Sequence, residues 1–162
     1  MVELRLEALA EIEKSAGACE YYAGQAETYM QDKHIATEAS RSFVAYEPIG
    51  CVFAVMPWNF PIWQVFRFLA PGLMAGNVAL LKHATNVPRC ADVIAEILRL
   101  AGIPEGVFDV LHIDNQRAGA VMHCGHDGVF CGDIVHLVRD AFGAHRNNTA
   151  SGAHRLVRQM VE

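Results

Sequence analysis

Between Glu3 and about Met30, apolar residues return at helical spacing: Leu6, Leu9, Ile12, Ala16, Cys19, then Tyr22 and Ala26. Glu7, Glu11 and Lys14 fall on the other side. The pattern predicts one long amphipathic helix, with Gly24 as a point where it can break. Asp32 to Arg41 is polar and turn-like. Ser42–Tyr46 and Gly50–Met56 read as strands. The second is a continuous apolar run, Cys51-Val52-Phe53-Ala54-Val55-Met56, which suits a strand buried on both faces. Pro57-Trp58-Asn59-Phe60-Pro61 stops it, because proline cannot donate to a ladder and restricts the residue before it.

Ile62–Met74 then has helical spacing, with Pro71 as a kink or break. Asn77–Leu81 is a short apolar strand. Pro88 opens a helix that reaches Leu100, with Ala91, Ile94 and Leu98 on one face and Gly102 as its stop. Val107–Ile113 reads as a third strand of the same kind. Buried strands alternating with helices imply right-handed crossovers and a parallel sheet, an α/β fold. Such sheets take ligands in the crevice at the carboxyl ends of their strands. The loops after Met56 and after Leu81 lie there. Neither carries a Gly-x-Gly-x-x-Gly or P-loop phosphate cradle, so a dinucleotide would need another device.

Composition narrows the picture. The 162 residues are 52% apolar, enough for a single sizeable core and too apolar for a disordered chain. A net charge of −5 argues against a nucleic-acid surface. No apolar run is long enough to span a bilayer, and the acidic amphipathic start lacks a signal-peptide layout. A soluble, cytoplasmic protein is expected. The five cysteines are widely spaced and odd in number, which fits free thiols; Cys19, Cys51 and Cys90 sit among apolar neighbours and read as inert core residues. Beyond Asn115 the composition shifts: residues 115–162 hold five Arg, no Lys and five of the eight His.

Three places carry candidate chemistry. Asn59, fixed between two prolines at a strand's carboxyl end, either caps the helix beginning near Ile62 or offers its amide to an oxyanion on a carbonyl substrate. Lys82 directly follows an apolar run, and is either a solvated surface lysine or a ligand for a ribose hydroxyl or phosphate. Thr85, three residues on, either caps the next turn or joins the same ligand. His123, Cys124, His126, Cys131 and His136 offer zinc-ligating atoms without a recognised spacing; no metal is expected there.

Several segments in order then carry a resemblance. They are Tyr46-Glu47-Pro48-Ile49-Gly50, Met56-Pro57-Trp58-Asn59-Phe60-Pro61 with Gln64, Pro71-Gly72-Leu73-Met74-Ala75-Gly76-Asn77, Leu80-Leu81-Lys82, Pro88, and Ala101-Gly102-Ile103-Pro104-Glu105-Gly106-Val107. With Tyr21-Tyr22-Ala23-Gly24, they make the chain resemble the aldehyde dehydrogenase superfamily from about Ala8 to Gly119. Leu80–Ala84 and Trp63–Arg67 are most similar to its succinate-semialdehyde dehydrogenase branch. The resemblance implies a partial Rossmann-like parallel sheet with flanking helices, from an enzyme oxidising a small aldehyde to a carboxylic acid with NAD or NADP. In that family a cysteine thiolate attacks the aldehyde, hydride passes to the nicotinamide, and a glutamate activates water to release the acid. Carried over, Asn59 is the oxyanion donor, Met56, Pro57 and Trp58 line the cofactor cleft, and Lys82 contacts the adenine ribose. Thr85 stands where strict NAD users often have a glutamate, so NADP should be tolerated.

The departures are as informative. The family's next strand ends in Thr-Gly-Ser, where this chain has Phe130-Cys131-Gly132-Asp133. Neither the Glu-Leu-Gly-Gly segment with the general base nor the Gly-Gln-x-Cys nucleophile segment is present. The resemblance therefore implies a fragment: residues 1–122 a partial NAD(P)-binding domain, residues 123–162 a divergent or out-of-frame tail, and the chain inactive alone. The competing expectation is a non-catalytic assembly module that self-associates through exposed apolar surface. A zinc-binding tail on a degraded fold is a third.

Overall fold

A computed structural model describes the backbone of residues 2–127 and the side chains of residues 5–122. Nine elements follow in order: α1 (Val2–Met30), β1 (Lys33–His34), β2 (Phe43–Val44), β3 (Cys51–Met56), α2 (Trp63–Met74), β4 (Val78–His83), α3 (Pro88–Leu100), β5 (Phe108–Val110) and α4 (Asn115–Asp127). β3, β4 and β5 form a parallel sheet with β4 in the middle, Cys51 facing Val78 and Ala79 facing Phe108. β1 and β2 make a separate antiparallel pair. The expected strand–helix–strand–helix–strand order is thus present. β1 lies inside the segment that reads as a turn, and β5 is shorter than Val107–Ile113.

The apolar spacing of α2 and α3 explains the core. α2 turns Val65, Phe66, Leu69, Ala70, Leu73 and Met74 inward, and α3 turns Ala91, Ile94 and Leu98. All six residues of β4 are buried, as a central strand covered on both faces requires. β3 departs from expectation. Only Ala54 is buried and Val55 is exposed, because β3 lies at the edge of this sheet.

Both helices stop at a glycine with positive φ, Gly76 (82°) and Gly102 (81°). In each case the glycine N–H and the next residue's N–H close back on the last turn, Gly76 to Leu73 and Asn77 to Gly72, Gly102 to Arg99 and Ile103 to Leu98. A side chain at that glycine would be strained, so the sequence allows little else. Asn77 then ties three elements together, accepting from the Gly50 N–H at 3.1 Å and donating to the Gly72 carbonyl at 3.2 Å. α2 runs through Pro71 without a break, and α1 runs through Gly24.

α1 corrects the amphipathic reading. Its packed face is Ser15, Cys19, Tyr22, Ala23, Ala26 and Met30, while Leu6, Leu9 and Ile12 are 61%, 52% and 54% exposed. The reason is length. At ~1.5 Å per residue α1 is more than twice as long as α2, its main partner, so its first turns extend past the surface it packs on. Glu11 and Lys14, read as the polar side, instead face the start of α2, with Lys14 Nζ 4.2 Å from the centre of the Trp63 ring.

Candidate functional site

The carboxyl ends of β4 and β5 frame a cleft of about 270 Å³ lined by His83, Ala84, Thr85, Pro88, Leu111, His112, Ile113 and Asp114. Each wall has a local cause. β4 ends at His83, and Pro88 supplies the first residue of α3, where a missing N–H costs nothing. On the far side β5 ends at Val110, and Asp114 begins α4 by accepting from the Arg117 N–H at 2.7 Å, as an N-cap does. His112 Nε2 and Asp92 Oδ1 pair at 2.7 Å across the exposed rim.

Lys82 directly precedes the cleft-lining His83 and does not itself line the cleft. It is the fifth residue of β4 rather than a residue beyond it, and it is only 2% exposed, which overturns the solvated-surface reading. Among the described residues the acceptor it reaches is Asn115 Oδ1, at 2.6 Å, on the first turn of α4. An ammonium has three N–H donors and needs acceptors when taken out of water. Lys82 therefore has N–H donors beyond the one that this bond uses. Thr85 is exposed and lines the cleft itself.

Asn59 lies on the loop between β3 and α2 and is exposed, as are Pro57 and Trp58. It does not cap α2. The N-cap is Ile62, whose side chain cannot accept, and Glu11 takes that role from α1: its Oε1 accepts from the Ile62 and Trp63 N–H groups, each at 2.7 Å. Met56 is half-buried, opposite His83 in the sheet register. His83 is buried and bonds the loop: its Nδ1 accepts from the Ala84 N–H and its Nε2 reaches the Pro61 carbonyl, both at 2.8 Å. Of the expected site residues the structure thus puts Thr85 in the wall of the cleft, leaves Lys82 buried one strand position before cleft-lining His83, and places Pro57, Trp58 and Asn59 on a loop that does not line it. Sequence reading misses Asn115, Glu11 and His83; the only local signal is an Asp-Asn pair opening a helix, at Asp114-Asn115.

Among the described residues the cysteines show no sign of an activated nucleophile. Burial is the main cause that pushes the Cys19, Cys51 and Cys90 thiols up, opposite to what an attacking thiolate needs. Cys19 is buried in the core and half-buried Cys51 packs against it, whereas half-buried Cys90 is not part of that core, contrary to expectation. Among the described residues no His, Cys, Asp and Glu cluster can hold a metal, and no helix is long and apolar enough to cross a membrane. Cys124, Cys131, His123, His126 and His136 lie outside the described side chains.

A parallel sheet with a cleft at its strand ends, a buried lysine on the middle strand and no glycine-rich phosphate loop belong to the α/β class that takes ligands at strand ends. Residues 3–131 match the sequence model of the aldehyde dehydrogenase family, and the chain belongs to that family. Its three strands are part of that family's Rossmann-like cofactor-binding sheet. Within the family it is 58% identical over 116 residues to a probable NADP(+) succinate-semialdehyde dehydrogenase of Synechocystis, covering 72% of this chain and 26% of that protein. It is 48% identical over 112 residues to the NADP(+) succinate-semialdehyde dehydrogenase of Mycobacterium leprae, covering 67% and 24%. The crystal structure of succinic semialdehyde dehydrogenase from Streptococcus pyogenes in complex with NADP+ superposes with a TM-score of 0.69 at 32% identity, over 72% of this chain and 26% of that one. The chain spans about a quarter of the length of the curated relatives it matches.

Proposed function

We propose that this chain is an NADP-binding portion of a succinate-semialdehyde dehydrogenase-like enzyme and does not oxidise aldehydes by itself. The observation that carries the reading is Lys82, buried near the end of the middle strand with N–H donors beyond its bond to Asn115, one residue before the cleft-lining His83. Its ammonium would hold a ribose hydroxyl, and Thr85 would face the adjacent position without the negative charge that repels a 2′-phosphate. Ala84, Pro88, Leu111 and Ile113 give the cleft apolar walls suited to a flat base. At about 270 Å³ the cleft falls just below the ~300–1,000 Å³ of sites that enclose a whole drug-sized ligand. It therefore fits one end of a dinucleotide, and Met56, Pro57 and Trp58 on the next loop would meet the remainder.

When bound, the nicotinamide accepts hydride from the substrate. This chain's own part in the chemistry is narrower. Asn59 would donate its side-chain N–H to the oxygen that gains charge as a carbonyl is attacked, a contact that contributes several kcal/mol in enzymes that use it. The attacking thiolate and the base for water have no counterpart, since the Gly-Gln-x-Cys and Glu-Leu-Gly-Gly segments are missing and the thiols described are all pushed up by burial. Oxyanion stabilisation without a nucleophile leaves no route to the acid. Mixing the full chain with succinate semialdehyde and NADP should give no NADPH absorbance, while calorimetry should show saturable NADP binding. Turnover at an enzyme-like rate would remove the inactivity, and calorimetric silence would remove the cofactor.

A second reading, self-association, is favoured by Leu6, Leu9 and Ile12, an exposed apolar stripe on α1. It concerns assembly and is compatible with the first.

A further inference from the structure

The loop that carries Asn59 is held by side chains from two elements distant in sequence. Three consecutive backbone groups are taken. The Pro61 carbonyl accepts from His83, and the Ile62 and Trp63 N–H groups both donate to Glu11 Oε1. Lys14 covers the Trp63 ring from the same turn of α1, and Ser15 donates to the Glu11 carbonyl at 2.8 Å.

Each grip follows from the chemistry of its group. The first amides of a helix have no partner within it, and Ile62 cannot supply one. A carboxylate is the strongest acceptor for two such donors and also meets the positive end of the helix dipole. For His83, a backbone N–H can only donate, so the Ala84 contact makes Nδ1 an acceptor and leaves the ring proton on Nε2. A carbonyl can only accept, so that proton goes to Pro61. Only the neutral Nε2–H ring satisfies both.

We propose that Glu11 and His83 are positioning residues that set where Asn59 presents its amide. Residues 61–63 are fixed from both sides, Pro57 and Pro61 restrict the backbone between, and Asn59 is left two residues from the clamp with little freedom. An oxyanion donor must be held to within about 0.5 Å to act, which a surface loop does not achieve unaided. This inference rests on the oxyanion role of Asn59 for its meaning. The arrangement itself is testable without any cofactor or substrate.

The experiment is amide hydrogen exchange and ¹⁵N–¹H spectroscopy on the ligand-free full chain, comparing Glu11→Ala, Glu11→Gln, His83→Gln and the control Glu13→Ala. Glu11→Ala should speed exchange at Ile62 and Trp63 on the order of ten- to a hundredfold, the loss expected for charged hydrogen bonds. It should also shift the Asn59 side-chain amide resonances. Glu11→Gln keeps an acceptor oxygen and should restore most of the protection, and Glu13→Ala should change neither. His83→Gln should shift Asn59 while leaving exchange at Trp63 protected. Unchanged Asn59 resonances in Glu11→Ala and His83→Gln would overturn the proposal, as would exchange that rises equally across α1, α2 and β4. If Glu11→Ala does not fold, His83→Gln decides it by the same Asn59 signal. NADP is absent throughout, so a chain that fails to bind cofactor still returns an answer here.

Discussion

Lys82→Met should stabilise the ligand-free chain. Lys82 is 2% exposed on the middle strand, and the acceptor it reaches among the described residues is the neutral Oδ1 of Asn115. The hydrogen bond is worth roughly 1.5–3 kcal/mol, since one partner is charged. Removing an ammonium from water costs several kcal/mol even after relaxation, and among the described residues no carboxylate pairs with it. Methionine keeps most of the apolar stem and discards the charge, and exposed Asn115 returns to water with nothing left unsatisfied. The balance favours Met by about 1–3 kcal/mol. Urea denaturation followed by far-UV circular dichroism reads this directly, as a midpoint raised by roughly 1 M with an unchanged slope. Lys82→Ala, which also removes the stem and leaves a void, should not share the gain. A midpoint lowered by Lys82→Met would refute the reasoning, since it would mean that the ammonium is well satisfied and has no donors to offer a ligand.

Three other outcomes are expected. Burial first, and then Glu20, pushes the Cys19 thiol from 9.0 to about 11, so the fold holds that proton more tightly than the unfolded chain does. The resulting stability is complete below about pH 9 and is lost as pH rises through about 11, which the difference between the native chain and Cys19→Ala across that range would show. Ile94→Ala, at a fully buried position on α3, should cost about 2–5 kcal/mol in the same urea assay, whereas a cost below about 1 kcal/mol would mean that α3 is not packed as described. Leu9→Lys on the exposed stripe of α1 should change stability by less than about 0.5 kcal/mol yet reduce association measured by light scattering, and unaltered association would remove that stripe as an interface.

What could be read from the sequence is what local physics determines. The face Ala91, Ile94 and Leu98, the proline that opens α3 and the glycine that closes it all act within a few turns of chain, and each is found in place. The parallel order follows from alternation. Context defeated the other readings. A continuous apolar run does not say whether a strand is central or at an edge, so β4 matches the expectation of full burial and β3 does not. The stripe on α1 is real as a pattern, but α2 is too short to cover it. β1 is two residues of a polar segment, and it exists only because β2 pairs with it.

The site divides in the same way. That Lys82 and Thr85 fall near the end of a buried strand was legible, although β4 runs to His83 rather than stopping at Leu81. Their partners were not. Asn115 meets Lys82 from 33 residues away, and Glu11 reaches Ile62 across 51. Glu11 has the spacing of a solvent-facing helix residue, and nothing in its neighbourhood marks it as the cap of another helix. The reading of Asn59 as that cap failed for the same reason: the position was already taken by a side chain that one-dimensional spacing cannot bring near.

The central claim is that the carboxyl ends of β3, β4 and β5 hold NADP. It is tested most directly by titrating NADP into the ¹⁵N-labelled full chain and following each backbone amide. The expected result is saturable shifts confined to residues 56–59, 82–88 and 111–115, reversed when Lys82 is replaced by Met. Shifts absent at saturating NADP, or scattered over α1 and the β1–β2 pair with Lys82→Met responding alike, would contradict it.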